Sequence, residues 1–360
     1  MKKVLFASTA LVVAMAAGAA SAAEPIKLSV GGFTKQWFGY ADQDAENINE
    51  TFQKSDTEIF FSGATTLDNG LQVGVRFEME ADRSTANRNG DEAFAFVASQ
   101  GLGRLEIGQV QNFAHKGHNR APTVGYGFND AHEIILPAGD AAILAGRTSW
   151  DSGKGGKVQY MTPSFGGFQA FAGFTPNAIR LPGGGNESQN IVQDKTTGHN
   201  AWEVGAVYAG EFAGFGIKAD AGYGQFDGGR TTAGVTTPGL RGWQVGTQLT
   251  YAGFTFGGSY VDVAERDAPA GTNIDITSWD LGVGYAMGPF GVSAAYLDSR
   301  VDLGGGSDDR GKVWELAGSY AMGPGITSRT SFIHADWEEA GAGGAQNEGW
   351  AIVTGLDIRF

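Results

Sequence analysis

Residues 349–360 read GWAIVTGLDIRF, and their alternation decides the fold. Trp350, Ile352, Thr354, Leu356, Ile358 and Phe360 take one face, while Ala351, Val353, Gly355, Asp357 and Arg359 take the other. Successive side chains of a strand point to opposite sides. One face of this strand is therefore greasy and the other carries a carboxylate and a guanidinium. Ends of soluble domains are commonly frayed and polar. A strand that alternates up to a final aromatic ring raises the expectation that a sheet depends on it.

The same period of two runs back along the chain. In LQVGVRFEME, Leu71, Val73, Val75, Phe77 and Met79 oppose Gln72, Gly74, Arg76, Glu78 and Glu80. GWQVGTQLTY, SWDLGVGY and VWELAGSY repeat the pattern, with Trp243, Trp279 and Trp314 near their starts and Tyr251, Tyr285 and Tyr320 at or just beyond their ends. Period-two alternation bounded by turn residues signals strands. The breaks alternate in length. Short ones such as LDNG (67–70), QGLG (100–103), YAGF (251–254) and YAMGPF (285–290) carry tight-turn chemistry. Long ones lie near 42–55, 82–91, 112–154, 176–198, 228–238, 266–274, 301–310 and 337–346. Strands are expected at 27–41, 56–67, 71–82, 91–99, 103–111, 155–163, 167–175, 199–210, 214–227, 239–251, 254–265, 275–286, 290–300, 311–321, 325–336 and 347–360. That makes about 16 strands in one domain.

The first residues, MKKVLFASTALVVAMAAGAASAAE, combine basic Lys2 and Lys3, an apolar run from Val4 to Gly18, and small residues around Ser21–Ala23. This is the layout of a cleaved signal peptide, so residues 1–23 are read as leader and 24–360 as the working chain. Losing Lys2 and Lys3 lowers the basic count from 25 to 23 against 39 acids, a net charge of −16. Such an acidic balance argues against binding nucleic acid through a basic patch. The chain has no Cys, which excludes disulfides, Cys-ligated zinc and a Cys nucleophile. Beyond the leader no apolar run is long enough for a membrane helix. The 58 Gly residues, roughly twice the usual share, are penalised more in helices than in strands.

A soluble sandwich alternates too. Three features favour a barrel in lipid. Tyr208, Tyr251, Tyr285 and Tyr320 sit beside short turns, with Trp202, Trp243, Trp279, Trp314 and Trp350 towards the opposite strand ends, as two aromatic girdles require. One end has uniformly short turns and the other long loops. Strands of about 11 residues, tilted about 45°, span roughly 25 Å, the height of an outer-membrane apolar band. The chain further resembles a Gram-negative general porin of the alphaproteobacterial type. The signal peptide, GRLEIGQV (103–110), VQYMTPSFGGFQAFAGFTP (158–176), the paired YAMGP turns and the terminal Phe360 carry that resemblance over essentially the whole chain. It implies an all-β, transmembrane, antiparallel up-and-down barrel with short periplasmic turns, long external loops and a third loop folded into the lumen. It also implies a homotrimer in the outer membrane and a last strand, ending in Phe360, that the barrel-assembly machinery reads.

Sixteen strands enclose a lumen too wide for side chains to fill, so the barrel is expected to pass water and small hydrophilic solutes. The third loop, about 112–154, is the longest irregular stretch and interleaves His115, Lys116, His118, Arg120, Asp130, His132, Glu133, Asp140 and Arg147 with Tyr126, Phe128, Ile134, Ile135 and Leu136. Its apolar content predicts packing against the inner wall. The resemblance suggests loop carboxylates facing wall cations. Lys35, Arg76, Arg120, Asp130, Glu133 and Asp140 are therefore the constriction candidates, and the acidic balance predicts modest cation preference. A substrate-selective channel would carry an aromatic slide or a Lys/Arg ladder; the inward basic residues are spaced singly along the sequence. A barrel hydrolase would use His199 or His334 at the rim. The sequence has no HExxH motif and nothing that calls for a cofactor, while DQDAENINE (42–50) leaves a loop calcium site open although it lacks the Gly and closing Glu of an EF-hand.

Overall fold

The computed structural model describes residues 24–82, 90–137, 150–176, 198–229, 238–266, 274–303, 308–340 and 344–360; the leader 1–23 lies outside them. The first half contains β1 (Ser29–Gln43), β2 (Thr51–Thr66), β3 (Gln72–Glu80), β4 (Gly90–Ser99), β5 (Gly103–Gln109), β6 (Gly156–Met161), β7 (Phe168–Thr175) and β8 (His199–Phe212). The second half contains β9 (Phe215–Asp227), β10 (Gly239–Tyr251), β11 (Phe254–Arg266), β12 (Asp275–Met287), β13 (Phe290–Asp302), β14 (Asp308–Gly323), β15 (Ile326–Glu338) and β16 (Gln346–Arg359). A short helix α1 (Phe113–Gly117) and a 3-10 turn at Phe128–Glu133 sit in the long segment between β5 and β6.

Each strand pairs with its sequence neighbours, and β1 also pairs with β16, closing the barrel. That last pairing runs from Phe33 opposite Arg359 to Gln43 opposite Gly349. Phe360 completes it: its N–H donates to Gly32 O at 3.1 Å, and the Gly32 N–H donates to Phe360 O at 2.9 Å. The alternating final strand is thus the seam of the ring. Its outward Ile352 and Leu356 are exposed, whereas inward Ala351, Val353 and Asp357 are buried.

The expected strands all form, with the largest shift at β2, which starts at Thr51 and not at 56. Gln53, Ser55 and Thr57 alternate with Lys54, Asp56 and Glu58, so neither face is apolar, yet the ladder continues opposite Tyr40 and Phe38. Hydrogen bonding extended the strand past the point where hydropathy could mark it. Short turns follow their chemistry. Ala213–Gly214 and Ala252–Gly253 all have positive φ (50° and 84°, 49° and 87°), giving two-residue primed hairpin turns that match strand twist. The two Ala residues accept a left-handed conformation costing about 1 kcal/mol each.

Aromatic pairs ring the outside at two levels. Beside the short turns, Phe168–Tyr208, Phe215–Tyr251, Phe254–Tyr285 and Phe290–Tyr320 have centroids 4.4–4.9 Å apart. Towards the long loops, Trp202–Tyr223, Trp243–Tyr260, Trp279–Tyr296, Tyr296–Trp314 and Tyr40–Trp350 lie 4.3–5.7 Å apart. Exposed Leu281 and Leu316 lie between the two levels. The girdle is interrupted over β2–β5, since no Trp or Tyr occurs between residues 51 and 109. There the outward face carries Ile59, Phe61, Val75, Phe77 and Ile107.

Leu316 is two residues from Trp314 and four from Tyr320, near the middle of the apolar band. Leu316→Lys should lower the barrel's unfolding free energy in lipid vesicles by about 2 kcal/mol. Urea unfolding followed by Trp fluorescence measures this, and a change near zero would place that face outside lipid.

Candidate functional site: the lumen and its inward loop

The segment after β5 turns into the barrel and is held there by side chains of the wall. Its backbone N–H groups donate in sequence to inward acceptors: Gln111 to Glu92 Oε1 (2.7 Å), Phe113 to Glu203 Oε1 (3.0 Å), Asn119 to Asp220 Oδ1 (2.7 Å) and Ala121 to Asp280 Oδ1 (2.5 Å). Val124 then donates to Ser293 Oγ (3.0 Å), Tyr126 to Ser331 Oγ (2.8 Å) and Gly127 to Glu315 Oε1 (2.9 Å). Beyond the 3-10 turn, Trp337 Nε1–H donates to Ile135 O at 3.0 Å, and Asn347 Nδ2–H to Leu136 O at 2.6 Å. The loop therefore follows the inside of the wall from β4 round to β16. Backbone donors buried away from water need acceptors, and carboxylates accept such bonds strongly.

An apolar seam backs this polar lacing. Phe128 and Ile135 of the loop are buried in one cluster with inward Val313, Ile333, Trp337 and Val353. Trp37 of β1 joins them, edge-on to Tyr126 at 5.1 Å. The expectation that the loop packs on the wall is met, and the inward face of β13–β16 is correspondingly apolar at that level instead of wet.

The opposite arc, β1–β5, keeps its cations and Asp56 partly accessible, while Glu78, Glu92 and Glu106 are buried. Lys35, Asp56, Arg76 and Arg104 side chains are 30–35 % exposed, whereas Glu203 and Glu315 are 3 % and 1 % exposed. Lys35 Nζ meets Asp56 Oδ2 at 2.6 Å, Arg76 pairs with Glu78, and Arg104 Nε meets Glu106 Oε1 at 2.7 Å. Lys116 of the loop reaches the same Glu106 at 3.0 Å. Each cation also lies over a ring: Lys35 over Phe33, Arg76 over Phe60, Arg104 over Phe96 and Lys116 over Phe94 and Phe113. Cations spaced singly along the sequence thus become paired ions on aromatic faces, Lys35 across strands and Arg76 and Arg104 within their own.

The loop candidates divide. Glu133 reaches across to Lys54 on β2 and accepts from Tyr126 Oη at 2.7 Å, so it faces the charged arc. Asp130 lies beside it in the 3-10 turn, accepting from Asn129 Nδ2 at 2.9 Å, and burial raises its carboxyl above the ordinary value. Arg120 is tucked against the wall, its carbonyl accepting from Gln248 Nε2 at 2.8 Å, and burial lowers its guanidinium. Burial likewise pulls the nearby His115 down to about 4, which leaves it neutral at pH 7. Asp140 lies outside the described residues. Sequence reasoning missed the acceptors Glu203, Asp220, Asp280 and Glu315; their signal was a carboxylate at the inward centre of an otherwise apolar strand.

His334 faces outward and meets Glu348 Oε1 at 3.1 Å. Among the described residues, carboxylates close enough to share an ion are Asp56, Glu58 and Glu80, and Glu58, Glu78 and Asp91, all on β2–β4.

A bacterial porin barrel is also what comparison finds. A family model described as Gram-negative porin matches residues 7–336. The chain belongs to that family. As a porin it is an outer-membrane channel protein, and its barrel is similar to solved ones at low identity. In-vitro folded OmpT of Vibrio cholerae, in a trimer form, matches at 13 % identity and TM-score 0.63 over 94 % of this chain and 100 % of that one. An anion-selective porin from Comamonas acidovorans gives 13 % and 0.61 over 93 % and 100 %, and a mutant of Rh. blastica porin 14 % and 0.55 over the same shares. No curated protein matches the sequence.

Two outcomes follow for the porin's loop. Glu315→Ala removes the acceptor for Gly127 N–H, Ser331 Oγ and Thr123 Oγ1 (2.6 Å). It should cost about 2 kcal/mol and raise open-channel current noise, read in single-channel records. Asp130 has a carboxyl raised by burial, so its contribution to stability is full at acid pH and is lost as pH rises through that raised value. The stability of Asp130→Asn relative to the parent should therefore increase from pH 4 to pH 8 in denaturant titrations; a constant difference would contradict the burial of that carboxyl.

Proposed function

We propose that this porin is a passive, water-filled channel for small hydrophilic solutes and ions, narrowed by its third loop and catalysing no reaction. One observation carries the reading: the loop is laced to one side of the lumen while the charged arc of β1–β5 stays partly accessible opposite it. The narrow passage runs between that arc and the loop edge at Tyr126 and Glu133. Lys35, Lys54 and Arg76 line the wall side, and Asp130 and Glu133 the loop side. Asp140 belongs to the same loop and is carried as a constriction candidate, as is Arg120 behind it. Opposed charges across a narrow passage orient water and disfavour apolar solutes. On the wall, Glu58, Glu80 and Glu92 add to the paired carboxylates, which supports a modest cation preference.

The working unit is a homotrimer. Its contact face is the arc of β2–β5 that carries no Trp or Tyr, because Trp and Tyr anchor surfaces that meet the lipid–water boundary and are dispensable where protein meets protein. The leader 1–23 directs export and is cleaved. The assembly machinery inserts the barrel after reading β16 and Phe360, and no cofactor is required.

Planar-bilayer recording of the refolded mature chain under a salt gradient tests the whole reading. Large ohmic steps that close in thirds, with a reversal potential on the cation side, are expected. Glu133→Gln together with Asp56→Asn should move that potential towards zero. Small currents blocked by one solute would instead favour a selective channel, and a reversal potential of opposite sign would remove the cation preference.

A further inference from the structure

The inward cations of β1–β5 are each met by a carboxylate, but the short-turn end of β15–β16 departs from this. There Asp357, 3 % exposed, serves two guanidiniums. Arg329 Nη2 donates to its Oδ2 at 3.0 Å, and Arg359 donates from Nε to Oδ1 at 3.3 Å and from Nη2 to Oδ2 at 3.4 Å. The Arg359 contacts are long, and its side chain is 53 % exposed. Arg329 Nη1 is held by Val124 O of the loop at 3.0 Å, while its Nε finds no acceptor among the described residues. Two positive charges thus share one negative charge. Lys35, opposite Asp357 in the β1–β16 register, brings a third cation nearby whose own partner is Asp56.

Arg329, Asp357 and Arg359 border a recess of about 480 Å³ beneath the loop. Pro122 and Val124 of the loop, Gly291 and Ser319 of the wall, and Arg329 and Arg359 line it. It lies on the short-turn side of the laced loop, away from Glu133. A guanidinium with unspent N–H donors matches the oxygen spacing of phosphate or carboxylate, and is weakly hydrated.

The geometry points to a resting site for a small oxyanion, of which inorganic phosphate is the probe, in this recess. It rests on the channel reading, and it adds one local anion-holding station, reached from the short-turn side, to a pore whose balance is acidic. An anion entering from the long-loop side first passes the acidic loop edge, so block is sided.

The test uses single channels of the mature chain with inorganic phosphate added to one chamber at a time. Because the chain has no Cys, Glu46→Cys on the long-loop side reports orientation through an impermeant thiol reagent. Half-block from the short-turn side is expected at a phosphate concentration at least about threefold lower than from the other side. Arg359→Ala should abolish that difference, Arg329→Lys should weaken it, and Asp357→Asn, which removes the shared negative charge, should strengthen block. Equal block from both sides, or variants that change nothing, would overturn the site. If a variant fails to fold, the sidedness of the parent still decides. A parent that forms no channels at all would sink the channel reading itself, a distinct outcome.

Discussion

Hydrocarbon offers no partner for a backbone N–H or C=O, and the rest of this structure depends on that constraint. An open sheet in lipid would leave two edges of unpaired groups. The pairing of β1 with β16, ending in the reciprocal hydrogen bonds of Gly32 and Phe360, removes both edges at once. Everything else can vary around that closure. The outward face must be apolar between the aromatic levels, and the inward face is free to carry charge. On β1–β2 the outward face also carries polar Gln36, Gln53 and Ser55, and the strand runs on there because the ladder is made by backbone groups.

Closure creates a second problem, because a ring of sixteen strands is too wide to fill. The loop after β5 answers it by the same accounting of backbone groups. A peptide drawn into the lumen loses water from its N–H donors, and Glu203, Asp220, Asp280 and Glu315 replace that water. The carboxylates are buried at a cost that their bonds to the loop offset. The arrangement is one-sided. Wall acids hold the loop backbone, and ion pairs on rings occupy β1–β5, where Lys116 and Glu133 of the loop reach the wall through their side chains.

Much of this was legible in the chain itself. Strand number, tight turns, girdle positions and the lipid-facing residues all follow from side-chain alternation and turn chemistry, which are local. The inward placement of Lys35 and Arg76 was equally legible, because a period of two fixes the face of every residue on a strand. Which charge meets which was not. Arg76 finds Glu78 within its own strand and Lys35 finds Asp56 across the register, whereas the loop carboxylate Glu133 meets Lys54, a residue the sequence did not single out.

By itself the sequence determined a closed, lipid-facing barrel with an inward segment, because the hydrocarbon around it tests every strand separately and leaves the answer in a period of two. Only the tertiary structure decided that wall acids lace the loop, that scattered cations converge on Phe33, Phe60 and Phe96, and that Arg329 and Arg359 share Asp357. The lacing contacts and the Arg329–Asp357 pair join residues tens to hundreds of positions apart through register and loop path, and no local pattern in the chain encodes them.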